Sequence, residues 1–204
     1  MQSHTTHIDP IFKGAKMHVT VTLGAIERIS TPALIVNVFE GGKDPEAATR
    51  AVDAALNGAI SQLIEEGEIK GHFGEMTLIH TLGRIPASRI LVVGLGKQKC
   101  FDQDIIRRIT GEACRFLQRR GLNKATTIAH GVGVEGIGNM ESGQAIAEGA
   151  ILGLYRFSAY ITKTDNNTSR LEQLTIIEQD KSNVPNIEAG VKQGSDVADG
   201  VLLA

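Results

Sequence analysis

The 204-residue sequence has no tryptophan, two tyrosines and six phenylalanines. A protein that stacks nucleic-acid bases on aromatic platforms needs more rings than that. It has only two cysteines, Cys100 and Cys114. Two thiols exclude a disulfide framework and a four-cysteine zinc site, and they suit a reducing, cytoplasmic setting. No excess of positive charge exists: 21 Lys and Arg stand against 23 Asp and Glu, a formal net charge of −2. A global field drawing the chain to nucleic acid or anionic membrane is therefore absent. No stretch approaches the ~20 apolar residues of a membrane span. The start, Met1-Gln2-Ser3-His4-Thr5-Thr6-His7, lacks the basic and apolar regions of a signal peptide. What the chain does have is 23 glycines and 42% hydrophobic residues, enough to bury a real core in one domain or at most two small ones.

Along the chain, strands alternate with helices. Met17–Leu23 alternates, with Val19, Val21 and Leu23 on one side, and predicts a first strand. Ala33–Phe39 and the Ile90-Leu91-Val92-Val93 run within Arg89–Leu95 are continuous and β-branched, as in strands covered on both faces. Between them, Asp44 as N-cap and Pro45 at the first helical position predict one helix running to about Glu66, with Val52, Leu56, Ala59, Ile60 and Leu63 inward. A strand over Glu75–Leu82 follows. Further helices are expected over Asp102–Arg120 (Ile105, Ile109, Ala113 and Phe116 inward), Glu141–Phe157 (Ile146, Ala150, Leu154 and Phe157 inward) and Pro185–Ala204. Strands over Ala125–Ala129 and Leu171–Glu178 complete the set. This order predicts a three-layer α/β/α sandwich with a mixed, mostly parallel sheet, the two opening strands forming its antiparallel pair. Residues 1–16 read as a flexible arm, 17–183 as the domain, and 184–204 as the start of a linker helix. The seam Ile187, Val191, Gly194, Ala198, Val201 and Leu202 ends without a cap, so we expect a piece of a longer protein.

The candidate sites are few. Gly131-Val132-Gly133-Val134-Glu135-Gly136 is a literal G-x-G-x-x-G after a strand, the pattern that lays a pyrophosphate on a helix N-terminus. The helix starts beyond the last glycine, no acid follows ~20 residues on, and Glu135 would repel phosphate. A plain loop is the better expectation. Val93-Gly94-Leu95-Gly96-Lys97 could cradle an anion, but it lacks P-loop spacing and reads as a tight turn. Lys97–Lys124 holds eight Lys or Arg against three acids, with Arg108, Arg115 and Arg119 on one helical face. Asp104 and Glu112 stand within pairing distance along the helix, so a salt-bridged, solvated face is expected. His18, His72, His80 and His130 sit in four separate elements, with no H-x-x-x-H or H-E-x-x-H, and Cys114, next to the Ala113 core position, reads as an inert, partly buried thiol. No G-x-S-x-G is present. Sequence alone therefore assigns no catalytic, cofactor-binding or metal-binding residue to this chain.

Four segments carry a resemblance. They are Val38-Phe39-Glu40-Gly41-Gly42, Gly71-His72-Phe73-Gly74-Glu75, Ile90–Lys97 and Ala147-Glu148-Gly149-Ala150-Ile151-Leu152-Gly153-Leu154-Tyr155-Arg156-Phe157. With them, Met17 to Ala204 resembles the N-terminal domain of the M17 leucyl aminopeptidases (cytosol aminopeptidases), and Gly194–Ala204 is similar to the family's interdomain helix. Ser158 stands where the family often has Asp.

The resemblance implies a macro-domain-like fold for this part. It also implies a parent enzyme that removes N-terminal residues from peptides with two divalent cations, Zn or Mn, in a separate C-terminal peptidase domain. The family's signature octapeptide has no counterpart, since Asn167-Thr168 is followed by Ser169, so no metal ligand or catalytic residue carries over. The implied partners are that peptidase domain, peptide substrates of the parent and further copies in a hexamer. Two alternatives stay open. One is a macro-like nucleotide or ADP-ribose module cradling its ligand on Gly94–Lys97 and Gly131–Gly138; the other is DNA binding through Arg108, Arg115 and Arg119, as some bacterial members do in the hexamer.

Overall fold

The computed structural model describes residues 17–42, 47–134, 136–155 and 170–203. Its elements are β1 (His18–Leu23), β2 (Leu34–Val38), α1 (Ala47–Ala55), α2 (Ala59–Glu65), β3 (Met76–His80), β4 (Arg89–Gly94), α3 (Gln103–Gln118), β5 (Lys124–Ile128), α4 (Asn139–Leu154), β6 (Gln173–Glu178) and α5 (Val184–Leu203). The six strands form one sheet in the order β1-β6-β5-β2-β4-β3. As the sequence predicts, the β-branched runs β2 and β4 are central, and every residue of β2 is buried.

The antiparallel pair is not the expected one. β1 lies parallel to β6, with His18 opposite Gln173, and among the described residues the antiparallel pairing joins β3 to β4. Periodicity shows which face of a strand is apolar, but it carries no information on which strand lies beside it. The helix expected up to Glu66 is also two helices. Asn57 (φ 58°) and Gly58 (φ 81°) take the left-handed conformation between α1 and α2, and the Asp53 carboxylate caps the restart, accepting from Ile60 N at 2.7 Å and Ser61 N at 3.2 Å. The expected Asp44–Pro45 start lies outside the described residues.

Side chains alternate through the sheet to build two cores. Leu34, Val36, Val38, Ile90 and Val92 pack with Val52, Leu56 and Ile60 of the α1–α2 layer. Ile35, Leu91, Val93, Leu174 and Ile176 pack beneath α3, α4 and α5. On the α1–α2 side, the β1–β6 end of the sheet instead presents Thr20 and Thr175, whose exposed hydroxyls lie 3.3 Å apart. The buried stripe of α3 runs through Ile106, Ile109, Ala113, Cys114 and Leu117; Ile105 and Phe116 lie half-buried at its margins, one residue off the expected line. α4 begins at Asn139, two residues early, and Phe157 lies outside the described residues.

The three helices of this layer touch through glycines. A Cβ on Gly149 would sit 2.3 Å from Arg107 O, and one on Gly190 would sit 2.0 Å from Met140 O. Backbones this close leave room for hydrogen alone. On α5, Ile187, Val191 and Ala198 are buried and Leu202 packs against the core, while Val201 and Leu203 stay exposed. No described helix is long and apolar enough to cross a membrane.

Candidate functional site

The segments around Glu40, Gly71–Glu75 and Gly94–Lys97 meet at the carboxyl ends of β2 and β4. In an open α/β sheet this is the side on which ligands bind. Here the three loops bind one another. Glu40 N donates to Gly96 O at 2.9 Å, Gly96 N to Gly71 O at 2.9 Å, Leu95 N to Val38 O at 2.9 Å and Gly94 N to Glu75 O at 2.8 Å. The Glu75 carboxylate accepts from Lys70 N and His72 N, each at 3.0 Å. A Cβ on Gly94 would fall 2.0 Å from His72 O, so the crossing of backbones dictates glycine there. The amides of Gly94, Leu95 and Gly96 are thus spent inside the protein, and this segment is the tight turn the sequence predicts rather than an anion cradle. On its outside, Glu40 is flanked by His72 Nδ1 at 3.4 Å and Lys97 Nζ at 3.9 Å.

The topological switch point lies between β2 and β5, where successive crossovers leave in opposite directions along the sheet. Its crevice is filled. Phe101, 7% exposed, meets Phe39 edge-on at 5.1 Å between ring centroids, and its ring lies so close to Gly131 that a Cβ there would be 2.0 Å from it. Farther along the loop, the Glu141 carboxylate accepts from Gly138 N at 3.1 Å and so occupies the N-terminus of α4. A negatively charged cap already sits where a phosphate would have to bind. Glu135 lies outside the described residues.

His130 follows β5, in the turn two residues beyond the strand, as a structural residue. It is 1% exposed, its Nε2 is 3.0 Å from Thr127 Oγ1, and its carbonyl accepts from Ser142 Oγ at 2.9 Å. Burial pushes its pKa down to about 4 and keeps it neutral. His18, His72 and His80 are exposed on other elements, so the fold does not bring the histidines together. Cys114 is fully buried rather than partly buried as expected, and desolvation, opposed by nearby Arg115, pushes its thiol up to about 12, which makes it inert. Among the described residues no group of three or more His, Cys, Asp or Glu is placed to hold a metal ion. The donor set of a di-metal site is therefore not assembled from them.

The arginine face of α3 differs from the expected salt-bridged one. Arg108 lies over the Phe73 ring at 4.4 Å, Arg120 over the Phe116 ring at 3.5 Å, and Arg115 donates to Gly153 O at 2.9 Å. Rings and a carbonyl hold these side chains where Asp104 and Glu112 were expected to. The acid that does pair is one sequence reasoning missed. Glu148, 5% exposed, accepts from Arg107 Nε and from Gln144 Nε2 at 2.8 Å, while Arg107 also reaches Gln103 Oε1 at 3.2 Å. The signal was present: Glu148 is a lone acid inside the small, apolar run Ala145–Ile151. Such a residue is buried only with a partner.

Residues 35–164 match the model of the cytosol aminopeptidase family, N-terminal domain. A probable cytosol aminopeptidase of Alkaliphilus oremlandii is 31% identical over 188 residues, which is 92% of this chain and 38% of that relative. Among solved structures, a tomato leucine aminopeptidase variant superposes with a TM-score of 0.73 at 20% identity, covering 94% of this chain and 38% of its own. A macrodomain variant from Oceanobacillus iheyensis gives a TM-score of 0.62 at 13% identity, covering 84% of this chain and 89% of its own. The fold is thus macro-like, and the resemblance of the four sequence segments is confirmed. This chain belongs to the cytosol aminopeptidase family and matches that family's N-terminal domain.

Proposed function

We propose that this chain is the non-catalytic domain of a leucyl aminopeptidase, supporting assembly of the enzyme and access to its active site. In this reading the chemistry, release of N-terminal residues from peptides, belongs to a C-terminal peptidase domain holding two divalent cations, Zn or Mn. The whole enzyme is a cytoplasmic hexamer. The carrying observation is the match itself: the family model describes an N-terminal domain, and the alignment takes in 92% of this chain but 38% of the relative. The site geometry supports the same reading. The described backbone of the family-like segments is engaged in loop-to-loop and helix-to-helix packing, and the charged groups they leave outside, Glu40, His72 and Lys97, pair with one another. The Phe101 ring against Gly131 and the Glu141 carboxylate on Gly138 N favour this reading over a nucleotide-binding one. Equilibrium dialysis of the chain against Mn²⁺ or Zn²⁺ tests it. No stoichiometric metal is expected to remain, and retention of one or two ions per chain, with the fold intact, would overturn it.

A further inference from the structure

α3 holds a carboxylate that its own arginines leave without a partner. Glu112 is half-buried, with Arg108 one turn before it and Arg115 and Arg119 one and two turns after it. Two of the three are engaged elsewhere: Arg108 lies over the Phe73 ring at 4.4 Å, and Arg115 Nη1 donates to Gly153 O at 2.9 Å. Among the described residues, neither the Glu112 carboxylate nor the Arg119 guanidinium has an ion pair or a side-chain hydrogen bond. Both line a cleft of about 410 Å³, together with Gly74, Met76, Arg115 and Phe116, a volume in the range of small-ligand pockets. Met76 and Phe116 give the cleft a half-buried apolar wall. Gly74 closes it beside Glu112, where a Cβ would stand 3.4 Å from Oε2.

The charges select the occupant. A ligand with negative charge alone meets Glu112, and one with positive charge alone meets Arg115 and Arg119, so phosphates, nucleic acid and bare cations are each opposed. A zwitterion satisfies both signs. Its ammonium suits a carboxylate that lacks a cation, and its carboxylate suits a guanidinium fork. An apolar side chain on the same ligand covers Met76 and Phe116. Three residues of helix rise about 4.5 Å, so Glu112 and Arg115 stand within reach of two charges carried on one carbon. Arg119, about 10 Å along α3 from Glu112, suits a carboxylate one residue farther away. We propose that this cleft binds small apolar zwitterions, a free α-amino acid such as leucine or a dipeptide, with Glu112 on the ammonium and Arg115 or Arg119 on the carboxylate. A free amino acid is also what the enzyme proposed above releases. Only that link, to control by product, rests on the functional reading; the binding stands on the cleft.

Amide NMR shifts of the isotope-labelled 204-residue chain, titrated with leucine and with leucyl-leucine, provide the test. Saturable shifts are expected at Gly74, Met76 and along Glu112–Arg119, with a dissociation constant of about 1 mM for the tighter ligand, which names the source. N-acetylleucine lacks the ammonium and leucinamide lacks the carboxylate, so each should bind about tenfold more weakly than leucine, or worse. Glu112→Gln, or Arg115→Gln with Arg119→Gln, should weaken both zwitterions by about tenfold. Asp104→Asn makes the same charge change as Glu112→Gln on an exposed turn of α3 outside the cleft, and should leave binding unchanged. Unchanged shifts away from the cleft would show that the variants fold. No saturation by either zwitterion at about 20 mM, equal binding of N-acetylleucine or leucinamide, or affinity that survives Glu112→Gln overturns the proposal. None of these results moves the metal retention that tests the non-catalytic reading, so the two can fail separately.

Discussion

Replacing Gly190 and Gly200 of α5 by alanine, one at a time, should shift stability in opposite directions. Both glycines lie in the same helix, and both substitutions gain the same helix propensity, ~1 kcal/mol. At Gly200 nothing lies within 4 Å of the added Cβ, so Gly200→Ala should stabilise by about 0.5–1 kcal/mol. At Gly190 the Cβ would stand 2.0 Å from Met140 O and 2.9 Å from Gln144 N. Ordinary contact begins at 3.4 Å, so about 1.4 Å must open between two backbones, neither of which can rotate away. Overpacking of this kind costs about 1–3 kcal/mol or more, which exceeds the propensity gain. For a chain of this length ~1 kcal/mol moves Tm by roughly 2–4 °C. Differential scanning calorimetry should therefore show Gly200→Ala melting a few degrees higher and Gly190→Ala several degrees lower than the parent. A Gly190→Ala protein at least as stable as Gly200→Ala would refute the close α4–α5 seam and the view that α5 is part of this domain's core.

The other predictions concern buried polar and aromatic groups. His130 is neutral in the fold with its pKa lowered to about 4, while the unfolded chain protonates near 6.5, so the unfolded state binds more protons between those values. Stability should fall as pH drops from about 6.5 towards 4, by roughly 3 kcal/mol in all, and urea melts of His130→Gln should lack this slope between about pH 6.5 and 5. Glu148→Leu leaves Arg107 without its carboxylate and should cost about 2–4 kcal/mol. The double substitution with Arg107→Met should cost less, because no charge is then stranded; chemical denaturation reads both. Phe101→Ala removes the ring from the switch-point crevice and should destabilise by about 3–5 kcal/mol in the same assay.

The parts of this fold legible in the sequence are those written in local pattern. Continuous β-branched runs marked β2 and β4 as central, because a strand buried on both faces can afford no polar alternation. Pairing was not legible: β1 and β6 are 155 residues apart along the chain, from His18 to its partner Gln173, and nothing in either strand names the other. The α1–α2 break escaped because the apolar spacing of Val52, Leu56, Ala59, Ile60 and Leu63 runs on across Asn57-Gly58, and only the fold shows the Asp53 carboxylate capping the restart. The family-like glycines were legible as markers but not as chemistry. Gly94 and Gly149 matter for the backbone atoms beside them, His72 O and Arg107 O, and such crossings exist only in three dimensions. The same holds for the crevice, since nothing local places Phe101 against Gly131.

The central claim is that this domain serves an aminopeptidase without performing its chemistry. The direct measurement is hydrolysis of a leucyl anilide by the purified 204-residue chain, supplied with Mn²⁺ or Zn²⁺. The account predicts a rate no greater than that of the metal ion alone. Saturable turnover proportional to the concentration of folded chain would contradict it.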